Sequence, residues 1–124
     1  MSLSNAQTKP AVITIDAKGR SLGRVASEAA VALRGKLSPA FERHVAPKQK
    51  VVVINASQMK LSLHKQKTTD KVRYSGYPGG LRTLTWEQII AKKGYAEPLR
   101  VAIEGMLSRT RLRPAMMTNL TITE

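Results

Sequence analysis

Residues 74–80 read YSGYPGG, three glycines and a proline among two tyrosines and a serine. Glycine-rich loops let backbone N–H groups approach a phosphate closely. Lys71 and Arg73 precede this loop and Arg82 follows it. Tyr74 and Tyr77 can stack on a base or hydrogen-bond a phosphate. Pro78 fixes φ and stiffens the turn. The same residues could also make a tight connector with its tyrosines tucked into a core, and spacing alone leaves the two readings even.

A small nucleotide fits poorly. The phosphate-loop pattern G-x-x-x-x-G-K-[ST] fails twice at Gly35-Lys36, where Ala30 and Leu37 stand in the wrong places. The dinucleotide pattern G-x-G-x-x-G is also missing, since Gly19 and Gly23 are four apart and Gly79-Gly80 lacks a third partner. Acid–base chemistry finds eight carboxylates and no pair at a shared-site spacing. Asp16 closes the first apolar run, where α/β enzymes often place functional groups. A cap on the turn, or on the helix start at Ser21, explains it better. No G-x-S-x-G elbow is present. Cysteine is absent, and His44 and His64 lie far apart without ligand spacing. The expectation is therefore no enzyme, no catalytic residue, no metal and no cofactor.

Charge points elsewhere. Lys and Arg number 21 against 8 Asp and Glu, a formal +13. Solubility needs only about 2–8 for a small domain. The excess self-repels unless a polyanion neutralises it, and a strongly basic domain is the footprint of nucleic-acid binding. An anionic membrane surface is the weaker partner. Aromatic residues are 4% of the chain, no basic amphipathic helix carries a Trp, and no apolar run approaches the roughly 20 residues of a span. A small nucleotide-dependent enzyme and a general nucleic-acid binder remain the rival classes.

The elements that must position these cations follow from periodicity. Residues 1–10 are polar and read as a flexible arm before a single domain over 11–124. Residues 11–16 and 51–54 are β-branched, apolar strands. Residues 21–34 read as a helix, with Leu22, Val25, Ala26, Ala29, Ala30 and Leu33 on one face and Gly35 placed to end it. Arg24, Ser27, Val31 and Arg34 fall opposite, with Arg20 continuing the row, so the helix offers guanidinium groups outward. The basic stretch 60–73 reads as mobile at its tip, with a short strand over 72–75. Thr85 and Gln88 have capping-box spacing for a helix ending near Gly94. Pro98 suits the first turn of the next helix, whose stripe is Leu99, Ala102, Ile103, Met106 and Leu107. That helix runs into Arg109, Arg111 and Arg113, and residues 120–123 alternate as a last strand. Strands separated by helices imply an α/β domain with a mainly parallel sheet.

Four blocks occur in order: IDAKGRSLGRVASEAAVALRGK (15–36), VVVINA (51–56), SGYPGGL (75–81) and GML (105–107). Together they resemble ribosomal protein thirteen of the large subunit, of the bacterial and organellar type, over nearly the whole chain. The resemblance implies a three-layer α/β/α fold with a four-stranded, mainly parallel sheet. It implies a structural constituent of the large ribosomal subunit that binds its 23S-type RNA, supports early assembly and touches neighbouring ribosomal proteins. It places the chain on cytoplasmic or organellar ribosomes. On this view the loop's phosphates belong to folded ribosomal RNA. Three clusters are the expected contacts. The first is Arg20, Arg24 and Arg34 with Lys36. The second is Lys65, Lys67, Lys71, Arg73, Tyr74, Tyr77, Gly79, Gly80 and Arg82. The third is Arg109, Arg111 and Arg113. Tyr74 stands where the family usually has His, Lys48-Gln49 where Gly-Asp is common, and Ser108 where Pro follows G-M-L. The chain stops at Glu124, short of the family's His-Pro-His extension, which suggests a reduced lineage or an organelle.

Overall fold

β-Branched residues dominate the two apolar runs nearest the start, and both become strands. A computed structural model describes residues 12–68 and 70–124; the expected arm over 1–10 lies outside them. Strand β1 is Val12–Asp16 and β2 is Lys50–Ile54. They pair in parallel, with Ile13 opposite Val51 and Ile15 opposite Val53. A parallel pair needs a crossover, and helix α1, Leu22–Leu33, supplies it. A short 3-10 turn, Ala56–Gln58, follows β2.

Helix α1 buries Val25, Ala26, Ala29, Ala30, Ala32 and Leu33; this is the expected stripe with Ala32 added and Leu22 only half-buried. Gly35 follows at φ +76, a left-handed residue that ends the helix as foreseen. Its Cβ position would press on Pro47, so a side chain here would meet both strain and a neighbour.

The basic stretch after residue 60 is not a continuous loop. It holds helix α2, Leu63–Thr68, before strand β3, Asp70–Tyr74. Strand β4, Leu81–Thr85, was not foreseen, and it pairs with β3 antiparallel. Residues 75–80 are therefore the loop of a hairpin, not a link in the parallel sheet.

Helix α3, Trp86–Lys93, starts on the expected capping box. The Gln88 N–H donates to Thr85 Oγ1 at 3.4 Å, and the Thr85 N–H donates to Gln88 Oε1 at 3.3 Å. It ends at Gly94. Helix α4 is Ala96–Met106. It stops at the extended residue Leu107 and does not run on to the arginines. A further helix, α5, spans Arg113–Thr118 with Pro114 in its first turn. Strand β5, Leu120–Ile122, then joins the far side of β2 in parallel.

The parallel sheet thus has the order β1-β2-β5, three strands among the described residues rather than the expected four. The missing count is explained by the hairpin, which pairs with itself. The class remains α/β with a mainly parallel sheet between helical layers. Ile15, Val51 and Val53 of the sheet meet Val25, Ala29 and Leu33 of α1, Leu99 and Ile103 of α4, and Met116 of α5 in one cluster. Each fully buried Leu or Ile here contributes roughly 1.5–3 kcal/mol relative to exposure. Met106, assigned to the buried stripe, is instead 45% exposed because α4 ends there.

Candidate nucleic-acid interface

The hairpin carries exposed cations on both of its strands. Its register puts Arg73 directly opposite Arg82, one pair before the loop. Neither forms an ion pair among the described residues. Like charges directly opposed in a sheet repel, so the pair concentrates uncompensated positive charge at this end of the hairpin. The turn beside it is built as its sequence demands. Gly80 N–H donates to Tyr77 O at 3.0 Å, Pro78 takes the first central position and Gly79 the second, at φ +75. That is a type II turn, which selects Gly at the second position. Gly80 lies so close to Ser75 and the Tyr77 carbonyl that a Cβ there would force Ser75 to move. Tyr74 and Tyr77 are 62% and 75% exposed, so the reading that tucks them into a core is wrong. Both rings are free to meet a partner. Lys71 is not: its Nζ lies 3.0 Å from Glu97 Oε1, fastening the hairpin to α4.

A second group forms where the chain re-enters beside α1. The Lys60 N–H donates to Arg20 O at 2.9 Å, which brings the 3-10 segment against the start of the helix. Arg24, Lys60 and Lys65 then line one cleft of about 920 Å³, floored by Met59, Ala102 and Met106. Lys65 was expected with the hairpin loop, and the fold assigns it here. Lys67 lies on the exposed α2. Arg20 is committed elsewhere, its guanidinium 2.6 Å from Glu28 one helical stretch on. The outward row of α1 is therefore partly neutralised at its start. Ser27 on that face donates to Gly23 O at 2.9 Å and touches Met106 Sδ at 3.5 Å, so α4 covers part of the row.

The third group joins two segments far apart in sequence. Arg34, Lys36 and Arg43, from the loop after α1, line a pocket with Ser108 and Thr110 from the connection between α4 and α5. Arg109 and Arg111 on that connection are exposed. Arg113 points back toward Glu104, at 3.9 Å. Of the expected contacts, Arg24, Arg34, Lys36, Lys65, Lys67, Arg73, Arg82, Arg109 and Arg111 form no ion pair among the described residues, while Arg20, Lys71 and Arg113 do.

A family model of ribosomal protein L13 matches residues 10–124. The chain belongs to the ribosomal protein L13 family. It is 44% identical over 110 residues to the large ribosomal subunit protein uL13 of Symbiobacterium thermophilum, covering 87% of this chain and 75% of that one. The uL13 proteins of Treponema denticola and Vibrio atlanticus are 42% and 41% identical over 108 residues, with the same coverage. The L13 family is structural and ribosomal, not enzymatic.

Asp16 behaves as a structural residue of such a protein. Its Oδ1 accepts from Asn55 Nδ2 at 3.0 Å and from the Lys18 N–H at 2.9 Å. The Asn55 amide, then the Lys18 N–H, hold its carboxyl below the usual carboxylate range. It caps the turn, as expected, and in return fixes Asn55 in a left-handed conformation at φ 58. Among the described residues no three His, Cys, Asp or Glu converge on a metal-sized site, and no helix is long and apolar enough to cross a membrane.

Sequence reasoning missed Lys60, Arg43 and the opposition of Arg73 to Arg82. The last was recoverable. The two arginines flank the Pro78-Gly79 turn on either side, and residues 81–85 read LRTLT, rich enough in Thr to pair as a strand. Arg43 and Lys60 sit in irregular segments, where no periodicity predicts the neighbour.

Proposed function

We propose that the chain binds large-subunit ribosomal RNA as a structural constituent of the subunit and supports its early assembly. The observation that carries this is Arg73 and Arg82, set face to face on an exposed hairpin without an ion pair among the described residues, beside two solvent-exposed tyrosines. A protein keeps such a repulsive pair where a polyanion comes to relieve it. Phosphate oxygens would sit between the guanidinium groups, which hold them bidentately. Tyr74 and Tyr77 would take unstacked bases or phosphate oxygens at the loop. Arg24, Lys60 and Lys65 would follow the backbone along the α1 cleft. The L13 relatives are bacterial, which supports a place on cytoplasmic ribosomes, among neighbouring ribosomal proteins.

The test is equilibrium binding of the chain to large-subunit ribosomal RNA and to an unrelated RNA of equal length, across a salt series. Counterion release gives a steep log–log slope on both RNAs. A specific site adds tighter binding to the ribosomal RNA that persists at high salt. Equal affinity for both RNAs at every salt concentration contradicts the proposal.

A further inference from the structure

The pocket between the loop after α1 and the connection between α4 and α5 differs in chemistry from the rest of the basic surface. Elsewhere the cations stand on open faces or, like Arg24, Lys60 and Lys65, line a wider cleft. Here Arg34, Lys36 and Arg43 rim a concavity of about 340 Å³ whose lining includes Phe41 and Met116. Ser108 and Thr110, both hydroxyl-bearing, line the same space. The three cations form no ion pair among the described residues. The one carboxylate in the lining, Glu42, lies 3.4 Å from His44. An aromatic and apolar wall, polar groups and a cationic rim together match the parts of one nucleotide: base, sugar and phosphate. The volume is at the small end of ligand clefts, roughly 300–1,000 Å³. It admits a single extruded nucleotide and excludes a duplex, whose bases are stacked inward.

We propose that this pocket receives one unpaired nucleotide of the bound RNA, its base against Phe41 and its phosphate on the rim of Arg34, Lys36 and Arg43. The proposal rests on the RNA-binding reading above and deepens it. RNA-binding proteins gain much of their discrimination from bases that leave the stack and lie on aromatic side chains. The hairpin would hold the backbone, while this pocket would test for a base free to leave it.

The experiment uses the full chain and two RNA duplexes that differ by one bulged 2-aminopurine. The bulged duplex should bind about fivefold or more tighter, the low end of what one base–aromatic stack provides, and the fluorescence of the bulged base should change on binding. Phe41→Leu should remove the preference and leave affinity for the paired duplex intact. Arg43→Ala, at an exposed rim position, should reduce the preference with the thermal midpoint unchanged. Arg73→Thr with Arg82→Thr should weaken both duplexes alike. Equal affinity of the wild-type chain for both duplexes, or a preference that survives both Phe41→Leu and Arg43→Ala, overturns the pocket while leaving RNA binding standing. Failure to bind either duplex overturns the RNA-binding reading and the pocket with it.

Discussion

Replacing Arg73 and Arg82 together by threonine should stabilise the free protein and weaken its hold on RNA. The two residues are direct cross-strand partners, so their Cβ atoms lie about 4.5–5.5 Å apart. Two unit charges about 5 Å apart in water repel by up to about 0.8 kcal/mol, less after salt screening. Threonine suits a strand and removes both charges. The free variant should therefore melt about 1–3 °C higher. Binding should move the other way. Losing two phosphate contacts should lower the salt slope by about 1.5–2 and the affinity at 0.1 M salt by about ten- to fiftyfold. Thermal melting by circular dichroism reads the first effect, and fluorescence anisotropy with large-subunit ribosomal RNA reads the second. A variant that melts lower shows that the pair serves stability. A variant with an unchanged salt slope shows that the pair meets no phosphate.

Three further outcomes follow from the packing and the caps. Leu99→Ala empties a fully buried site against α1 and should cost about 2–5 kcal/mol in chemical denaturation, with RNA binding lost only as the fold is lost. Thr85→Ala removes the capping box of α3 and should cost about 1 kcal/mol, with faster hydrogen exchange at the Gln88 amide. Lys71 holds the Glu97 carboxyl below its ordinary range. Its stabilisation is therefore present above the unfolded glutamate pKa, about 4.3, and is lost as pH falls through the depressed folded value. Glu97→Gln should flatten that part of the acid melting curve and speed exchange in the hairpin at neutral pH.

Elements with a strong local signal were legible in the sequence. The β-branched runs became β1 and β2, the apolar stripe of α1 is buried nearly residue for residue, and the Thr85 to Gln88 capping box forms with both bonds. The hairpin was half read. Residues 72–75 carried a strand signal, but its partner holds Leu, Arg and Thr on a surface facing solvent, so no buried alternation marked it. Helices α2 and α5 are each six residues long. So short a helix is stabilised by what it packs against, not by its own propensity, and a single sequence does not show that. Composition showed the excess of cations but not their grouping. Their regrouping, with Lys65 joined to Arg24 and Arg34 joined to Thr110, depends on how α4 crosses α1 and on where the chain turns back. Acidic partners also had to be seen in space: Glu28, Glu97 and Glu104 each claim a cation that the sequence left free.

The measurement that tests the central claim most directly is co-sedimentation of a tagged chain through a high-salt sucrose gradient of its native cell extract. High salt strips loosely held basic proteins from RNA, because each phosphate contact weakens as counterions compete. The account predicts that the tagged chain stays with the large ribosomal subunit after the wash. A chain that moves to the top of the gradient would contradict it, and its +13 charge would then reflect only a loose affinity for polyanions.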